Sequence, residues 1–238
     1  KKLIKNRIYT NVGITSDKTY LLNKFFFLSL KNKRPFVKVK IAISKDEKIA
    51  WSDYSSKWIS NSKSREYGHQ LRFNSQAILT TAKTIIKDNP RLTVRKKNSI
   101  IKHLPIIIID KSLKLPIQSK LLKDISKKRI IIFTSKNNQK LIELKKLGCE
   151  IYLIKQNKNK EFNLKNIMKK IFSININNIL VETGGIFLSN LLSNRLVDEI
   201  HVFQAIFNIG KLGKPMIIGK KIDNLILKEI AKKNFGKD

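Results

Sequence analysis

A single cysteine, Cys149, stands in the 238 residues. One thiol cannot build an intramolecular disulfide framework and supplies too few ligands for a cysteine-based structural zinc site. Beside the apolar run Glu150 to Ile154 it reads as an inert buried thiol. The histidines, His69, His103 and His201, show no ligand spacing, and no H-x-E with P-C-x-x-C is present, so a deaminase-type zinc centre is excluded. No apolar stretch reaches the ~18 residues of a membrane span, and no secretory leader pattern is found. Glycine (9) and proline (5) fall below average usage, so the glycines that remain carry positional meaning.

Acidic residues are scarce too: 17 Asp and Glu face 50 Lys and Arg, a formal net charge of +33. Such a balance points towards a nucleic acid or a membrane surface. Two features weaken that reading. Lys, Ile and Asn make up 102 of the 238 residues and all have AT-rich codons, so genome composition accounts for much of the excess. The lysines are also spread along the whole chain, and only 8 of the basic residues are Arg, the residue suited to bidentate phosphate recognition. What is present is a globular composition, 42% hydrophobic, long enough for one large domain or two small ones.

The chain opens Lys1-Lys2-Leu3, not on Met, and reads as a fragment or processed piece. Lys2 to Gly13 has room for one short strand, and Asp17 to Leu30 predicts a helix. The basic linker Lys31 to Arg34 is stopped by Pro35. Alternation from Phe36 to Ser44 predicts a strand. A polar loop follows, then a helix capped by Ser60 or Asn61 and running to about Phe73. Ala77 to Leu79 is a short apolar run, Thr80 to Lys87 a short helix and Asp88-Asn89-Pro90 a turn. Pro105 to Asp110 and Arg129 to Phe133 have the continuous apolar character of buried strands. Glu150 to Ile154, Asn178 to Val181, Glu199 to Ala205 and Leu225 to Ile230 read as further strands. Asn138 to Leu147, Leu164 to Phe172 and Ile186 to Ser193 read as helices. This alternation predicts an α/β domain with a mainly parallel central sheet flanked by helices.

Three constellations can carry chemistry. Val181-Glu182-Thr183-Gly184-Gly185 joins an apolar strand to a helix, where glycines and a helix N-terminus suit a pyrophosphate. It lacks the full G-x-G-x-x-G fingerprint, so a plain tight turn stays open. Ser56-Lys57-Trp58 offers a hydroxyl and a flat ring face, or a core plug. Thr80 to Arg95, together with Arg72, gathers three of the eight arginines within 24 residues, for a phosphate or for ordinary solvation.

Arg34-Pro35-Phe36-Val37-Lys38-Val39-Lys40 through Ser56-Lys57-Trp58-Ile59, then Asp88-Asn89-Pro90-Arg91-Leu92-Thr93-Val94-Arg95, resembles the reductase domain of the bifunctional riboflavin-biosynthesis deaminase/reductase family. The likeness continues at Ile109-Asp110, Leu113, Leu115-Pro116, Val181-Glu182-Thr183-Gly184-Gly185 and Leu196-Val197-Asp198-Glu199. It covers roughly residues 34–238, and residues 1–33 look like the tail of an upstream deaminase domain plus linker.

The resemblance implies a dihydrofolate-reductase-like fold and NADPH-dependent reduction of 5-amino-6-(5-phosphoribosylamino)uracil by hydride transfer to C1′. By that match Lys40 is catalytic. Ser56, Arg72, Leu92, Arg95 and Glu182 bind the substrate, with the arginines near its phosphate. Ala42, Trp58, Thr84, Asp88, Gly184 and Gly185 bind the NADPH, the last two opening a stretch that runs to Asn190. No metal, membrane or nucleic-acid partner is expected. A homodimer is implied, and a cytosolic setting is expected from the lone thiol and the missing leader. The family's Ser-Leu-Asp-Gly turn is here Ser44-Lys45-Asp46-Glu47, which puts Glu where a positive φ is often needed. Lys111 stands where the family has Ser, and its final strand is expected to be missing. Another NADPH reductase of the same fold, or a basic nucleic-acid-binding module, remains as an alternative.

Overall fold

The strongest apolar runs become the middle of a parallel sheet. In the computed structural model, residues 2–11, 16–52, 61–97, 99–218 and 228–235 are described. The elements are α1 (Lys2–Lys5), α2 (Ser16–Leu22), α3 (Lys24–Asn32), β1 (Phe36–Ile43), β2 (Lys48–Ala50), α4 (Ser62–Phe73), β3 (Ala77–Thr81), α5 (Ala82–Asp88), β4 (Val94–Lys96) and β5 (Ser99–Lys102). They continue with β6 (Ile106–Ile109), α6 (Lys120–Lys123), a 3-10 turn (Ile125–Lys127), β7 (Ile130–Thr134), α7 (Gln139–Lys146), β8 (Glu150–Leu153), α8 (Leu164–Ser173), β9 (Asn178–Glu182), α9 (Gly185–Ser193), β10 (Glu199–Gln204) and β11 (Lys214–Pro215).

Seven strands form one sheet in the order β10-β1-β9-β3-β6-β7-β8, and every pairing in it is parallel. Ile106, Ile107 and Ile108 of β6 and Ile130 to Phe133 of β7 have no exposed surface, as strands covered on both faces require. Leu164, Ile167, Met168 and Ile171 of α8 recur at helical spacing. With Leu188, Leu191 and Leu192 of α9 they pack on Val37, Val39, Ile41, Ile179 and Val181. The opposite face carries Ala82 and Ile85 of α5, Leu121 and Leu122 of α6, and Leu141 and Leu144 of α7. Leu71 of α4 packs there on Leu180 and Phe203. Arg34 closes the entry to β1: its guanidinium donates to both Asp198 oxygens (2.6 and 2.8 Å), and Asp198 also accepts Val37 N–H.

Several expectations need correction. Residues Lys2–Lys5 are helical, not a strand; the apolar Leu3, Ile4 and Ile8 are exposed, and Asn6 bonds back to the Lys2 carbonyl. The helix expected from Asp17 to Leu30 breaks at Asn23, whose side chain donates to the Thr19 carbonyl and ends α2. Thr80 and Thr81 extend β3, and Thr81 caps α5 by accepting the Thr84 N–H. Residues 228–230 form no strand, and 225–227 lie outside the described residues. Asn61 caps α4 as expected, accepting the Ser64 N–H. Glu47 does take a positive φ, 59°.

Candidate active site

The chain winds outward from β3 to β8 and then returns, inserting β9 between β1 and β3 and adding β10 outside β1. A parallel sheet opens a crevice at the carboxyl ends of its strands where the winding direction reverses. Lys40 of β1 lies there, in register with Glu182 of β9 on one side and His201 of β10 on the other. Because side chains alternate along a strand, Lys40, Glu182, Thr80, His201 and Phe203 project to the face covered by α4. The Lys40 stem runs beneath Gly68 of that helix.

Arg72 leaves α4 on the same side. Its Nε donates to Glu182 Oε1 at 2.6 Å, Nη2 donates to Oε2 at 2.8 Å, and Nη1 donates to the Thr93 carbonyl at 2.8 Å. Arg72 and Glu182 expose only 18% and 17% of their side chains, so the pair is largely desolvated. The Thr80 hydroxyl donates to the Glu182 carbonyl at 2.8 Å and fixes the end of β9. Burial on its own would raise the Glu182 pKa; the Arg72 guanidinium, with help from Lys40 and His69, outweighs it and brings the carboxyl down to about 2. Burial lowers the Lys40 ammonium from its ordinary value, Glu182 opposes that shift and Arg72 adds to it. The Lys40 Nζ stands 5.4 Å over the Phe203 ring, a cation–π contact.

Leu92 turns the chain into β4 with φ 50°. The following residues hold the second arginine: Arg95 Nε donates to Thr93 Oγ1 at 3.2 Å, and the Arg95 N–H donates to His69 Nδ1 at 3.2 Å. No carboxylate pairs with Arg95 among the described residues.

Past Glu182, the turn into α9 has three open features. Gly184 precedes the helix with no side-chain cap and with open space where a Cβ would stand. The Thr183 hydroxyl is buried without a partner among the described residues. The first N–H groups of α9 point out of the helix with the positive end of its dipole. Gly185 serves a different need, because a Cβ there would meet the Met216 carbonyl at 2.6 Å. These features fit a dinucleotide phosphate.

The structure thus brings together Lys40, Arg72, Arg95 and Glu182, with Gly184 and Gly185 immediately beyond. Ala42 sits two residues further along β1, against the Leu71, Leu180 and Phe203 cluster. Thr84 lies in the first turn of α5, its hydroxyl 3.0 Å from that of Thr81, and Asp88 is the exposed last residue of that helix. Leu92 is buried in the core. Arg72 is fully engaged by Glu182 and Thr93, and Arg95 is the arginine of the two with no carboxylate partner among the described residues. Ser56 and Trp58 lie outside the described residues. Thr80 and Thr93 belong to the Thr80 to Arg95 constellation without a role of their own, and His69 lies outside all three constellations. The spacing of His69 and Arg72, three apart on one helix, was the signal available.

A sequence profile of the RibD C-terminal domain matches residues 35–238. The chain belongs to that family. RibD from Aquifex aeolicus is 34% identical over 238 aligned residues, which cover 94% of this chain and 65% of that protein. The 5-amino-6-(5-phosphoribosylamino)uracil reductase of Buchnera aphidicola from Acyrthosiphon pisum is 28% identical over 172 residues, 68% of this chain and 80% of that protein. Among solved structures, Acinetobacter baumannii RibD superposes with a TM-score of 0.79 at 25% identity, over 97% of this chain and 61% of that one. This RibD-family chain therefore spans just under two thirds of such relatives and corresponds to their reductase portion, with its dihydrofolate-reductase-like fold. No described helix is long and apolar enough to cross a membrane.

Proposed function

We propose that this chain reduces 5-amino-6-(5-phosphoribosylamino)uracil to its ribitylamino product with NADPH as reductant. One observation carries the reading: a guanidinium without a carboxylate partner among the described residues, Arg95, lies beside the largely buried Lys40, Arg72 and Glu182 group at the carboxyl end of β9. A sugar phosphate needs such a free cation, whereas a pterin does not.

NADPH, when bound, supplies the hydride for C1′ of the ribosyl group. Gly184, Gly185 and the start of α9 would hold its phosphates, with Ala42, Thr84 and Asp88 along its flank. The protein's own share is positioning and electrostatics. Arg95 holds the substrate phosphate. Glu182, immobilised by Arg72, accepts hydrogen bonds from the sugar or the ring. Lys40 Nζ hands a proton to the sugar ring oxygen as the ring opens, a task eased by an ammonium pKa already lowered by burial. Residues 1–33 belong in this reading to the tail of an upstream deaminase domain, and 34–238 to the reductase. A homodimer belongs to this reading through the resemblance, and a cytosolic setting through the lone thiol Cys149.

The test follows NADPH oxidation by the purified chain with the deaminated phosphoribosylaminouracil, and with dihydrofolate in parallel. Turnover is expected with the uracil compound only, falling at least 100-fold, about the share of a general acid, in Lys40→Ala. Turnover with dihydrofolate alone, or with neither in a folded sample, overturns the reading.

A further inference from the structure

Helix α4 grips the entry to β4 at two points, and only one of them belongs to the arginine that pairs with Glu182. Arg72 takes the Thr93 carbonyl through Nη1, at 2.8 Å. One helical turn earlier, His69 Nδ1 accepts the Arg95 N–H, at 3.2 Å. The two side chains share a face of α4 and hold the two ends of a three-residue segment. That segment is entered through Leu92 at φ 50°, a left-handed conformation that a leucine keeps only when its surroundings impose it. Within the segment Thr93 Oγ1 accepts from Arg95 Nε, so the direction of the Arg95 guanidinium depends on the same backbone.

We propose that His69 is a positioning residue: by accepting the Arg95 backbone N–H it fixes the direction in which Arg95 presents its guanidinium, and so sets affinity for the phosphate of the substrate. The inference rests on the reading of Arg95 as the group that holds the substrate phosphate.

The role requires a lone pair on Nδ1, hence the neutral ring with its proton on Nε2. The surroundings favour that form. Burial lowers the His69 pKa most, and the charges of Arg72 on its own helix and Arg95 on β4 lower it further. Glu182 on β9 opposes them, and the Thr93 carbonyl opposes them least. An imidazolium has no acceptor for the Arg95 N–H.

The experiment compares His69→Ala, His69→Asn, Arg95→Ala and the double variant His69→Ala/Arg95→Ala. Asparagine places an acceptor oxygen close to where Nδ1 stands. His69→Ala is expected to raise KM for the uracil compound about tenfold, the effect of one lost hydrogen bond, with kcat within about twofold. His69→Asn should restore most of the loss, and the double variant should be no worse than Arg95→Ala. An unchanged KM, a loss falling on kcat, or a His69→Ala effect that persists undiminished in the Arg95→Ala background overturns the proposal. If the wild-type chain does not turn over the uracil compound at all, the functional reading fails and ribose 5-phosphate becomes the probe. Equal weakening of its binding by His69→Ala and Arg95→Ala upholds the positioning role, and unchanged binding in His69→Ala overturns it. Nitrogen-15 spectra give a check independent of any ligand: an unprotonated Nδ1 at pH 7.5 is expected, and a protonated one is fatal.

Discussion

At Glu182 two effects oppose each other: burial, which by itself raises a carboxyl pKa, and the Arg72 guanidinium, which with Lys40 and His69 brings it to about 2. An unfolded Glu titrates near ~4.3. The folded value is the lower one, so the unfolded chain takes up the proton first as pH falls. The stabilisation is complete above about pH 4.3 and is lost as pH falls towards 2; two units correspond to roughly 3 kcal/mol. Urea midpoints of the wild type and Glu182→Gln should therefore differ most near pH 6 and converge between pH 4.5 and 2. A gap that does not change with pH would show that the carboxylate charge is not what holds Arg72. The sequence made both residues legible as site candidates, because Arg is rare in this lysine-rich chain and Glu182 ends an apolar strand. It did not show that they pair, since 110 residues separate them and only the topology brings them together.

At the scale of elements, the turn from β1 to β2 shows a substitution tolerated at a cost. Glu47 holds φ 59°, its N–H donates to the Ser44 carbonyl at 3.0 Å, and the Ser44 hydroxyl is 2.6 Å from Asp46 Oδ1. Asp46 in turn accepts the N–H groups of Ile209 and Gly210, tying down the loop that leads to β11. A left-handed non-glycine residue costs about 1–2 kcal/mol, and glycine loses about 0.5–1 kcal/mol more chain entropy on folding. Glu47→Gly is expected to stabilise the fold by about 0.5–1 kcal/mol, a rise of about 2 °C in Tm by calorimetry. A fall in Tm would mean that the Glu47 side chain contributes more than the strain it imposes. Long periodic elements such as α8, and the all-isoleucine β6, were legible from the sequence because burial on one or both faces dictates their pattern. The short strands β2, β4, β5 and β11 were not. They span two to four residues, and their pairing depends on partners and turns rather than on any periodicity of their own.

For the whole molecule, a formal charge of +33 over 238 residues means that the compact state repels itself. Added salt screens that repulsion, with a Debye length of ~10 Å at 0.1 M against ~30 Å at 0.01 M. The Tm is expected to rise between 10 and 200 mM NaCl, and a fall would show that attractive pairs such as Arg34 with Asp198 outweigh the repulsion. The fold itself separates these roles: the parallel sheet supplies a rigid platform, and the returning strand β9 carries Glu182, the carboxylate on which Arg72 and Lys40 converge.

That late return sets a timetable for biosynthesis. Arg72 leaves the ribosome 110 residues ahead of Glu182, a wait of roughly 5–20 s at ordinary elongation rates. Throughout it the nascent chain can assemble β3, β6, β7 and β8 from neighbouring pieces, while the lane between β1 and β3 has no strand to fill it. The lane between β1 and β3 is filled late, and a ribosome that stalls before residue 182 leaves behind a chain that already holds Lys40, Arg72 and Arg95 but lacks the carboxylate with which Arg72 pairs.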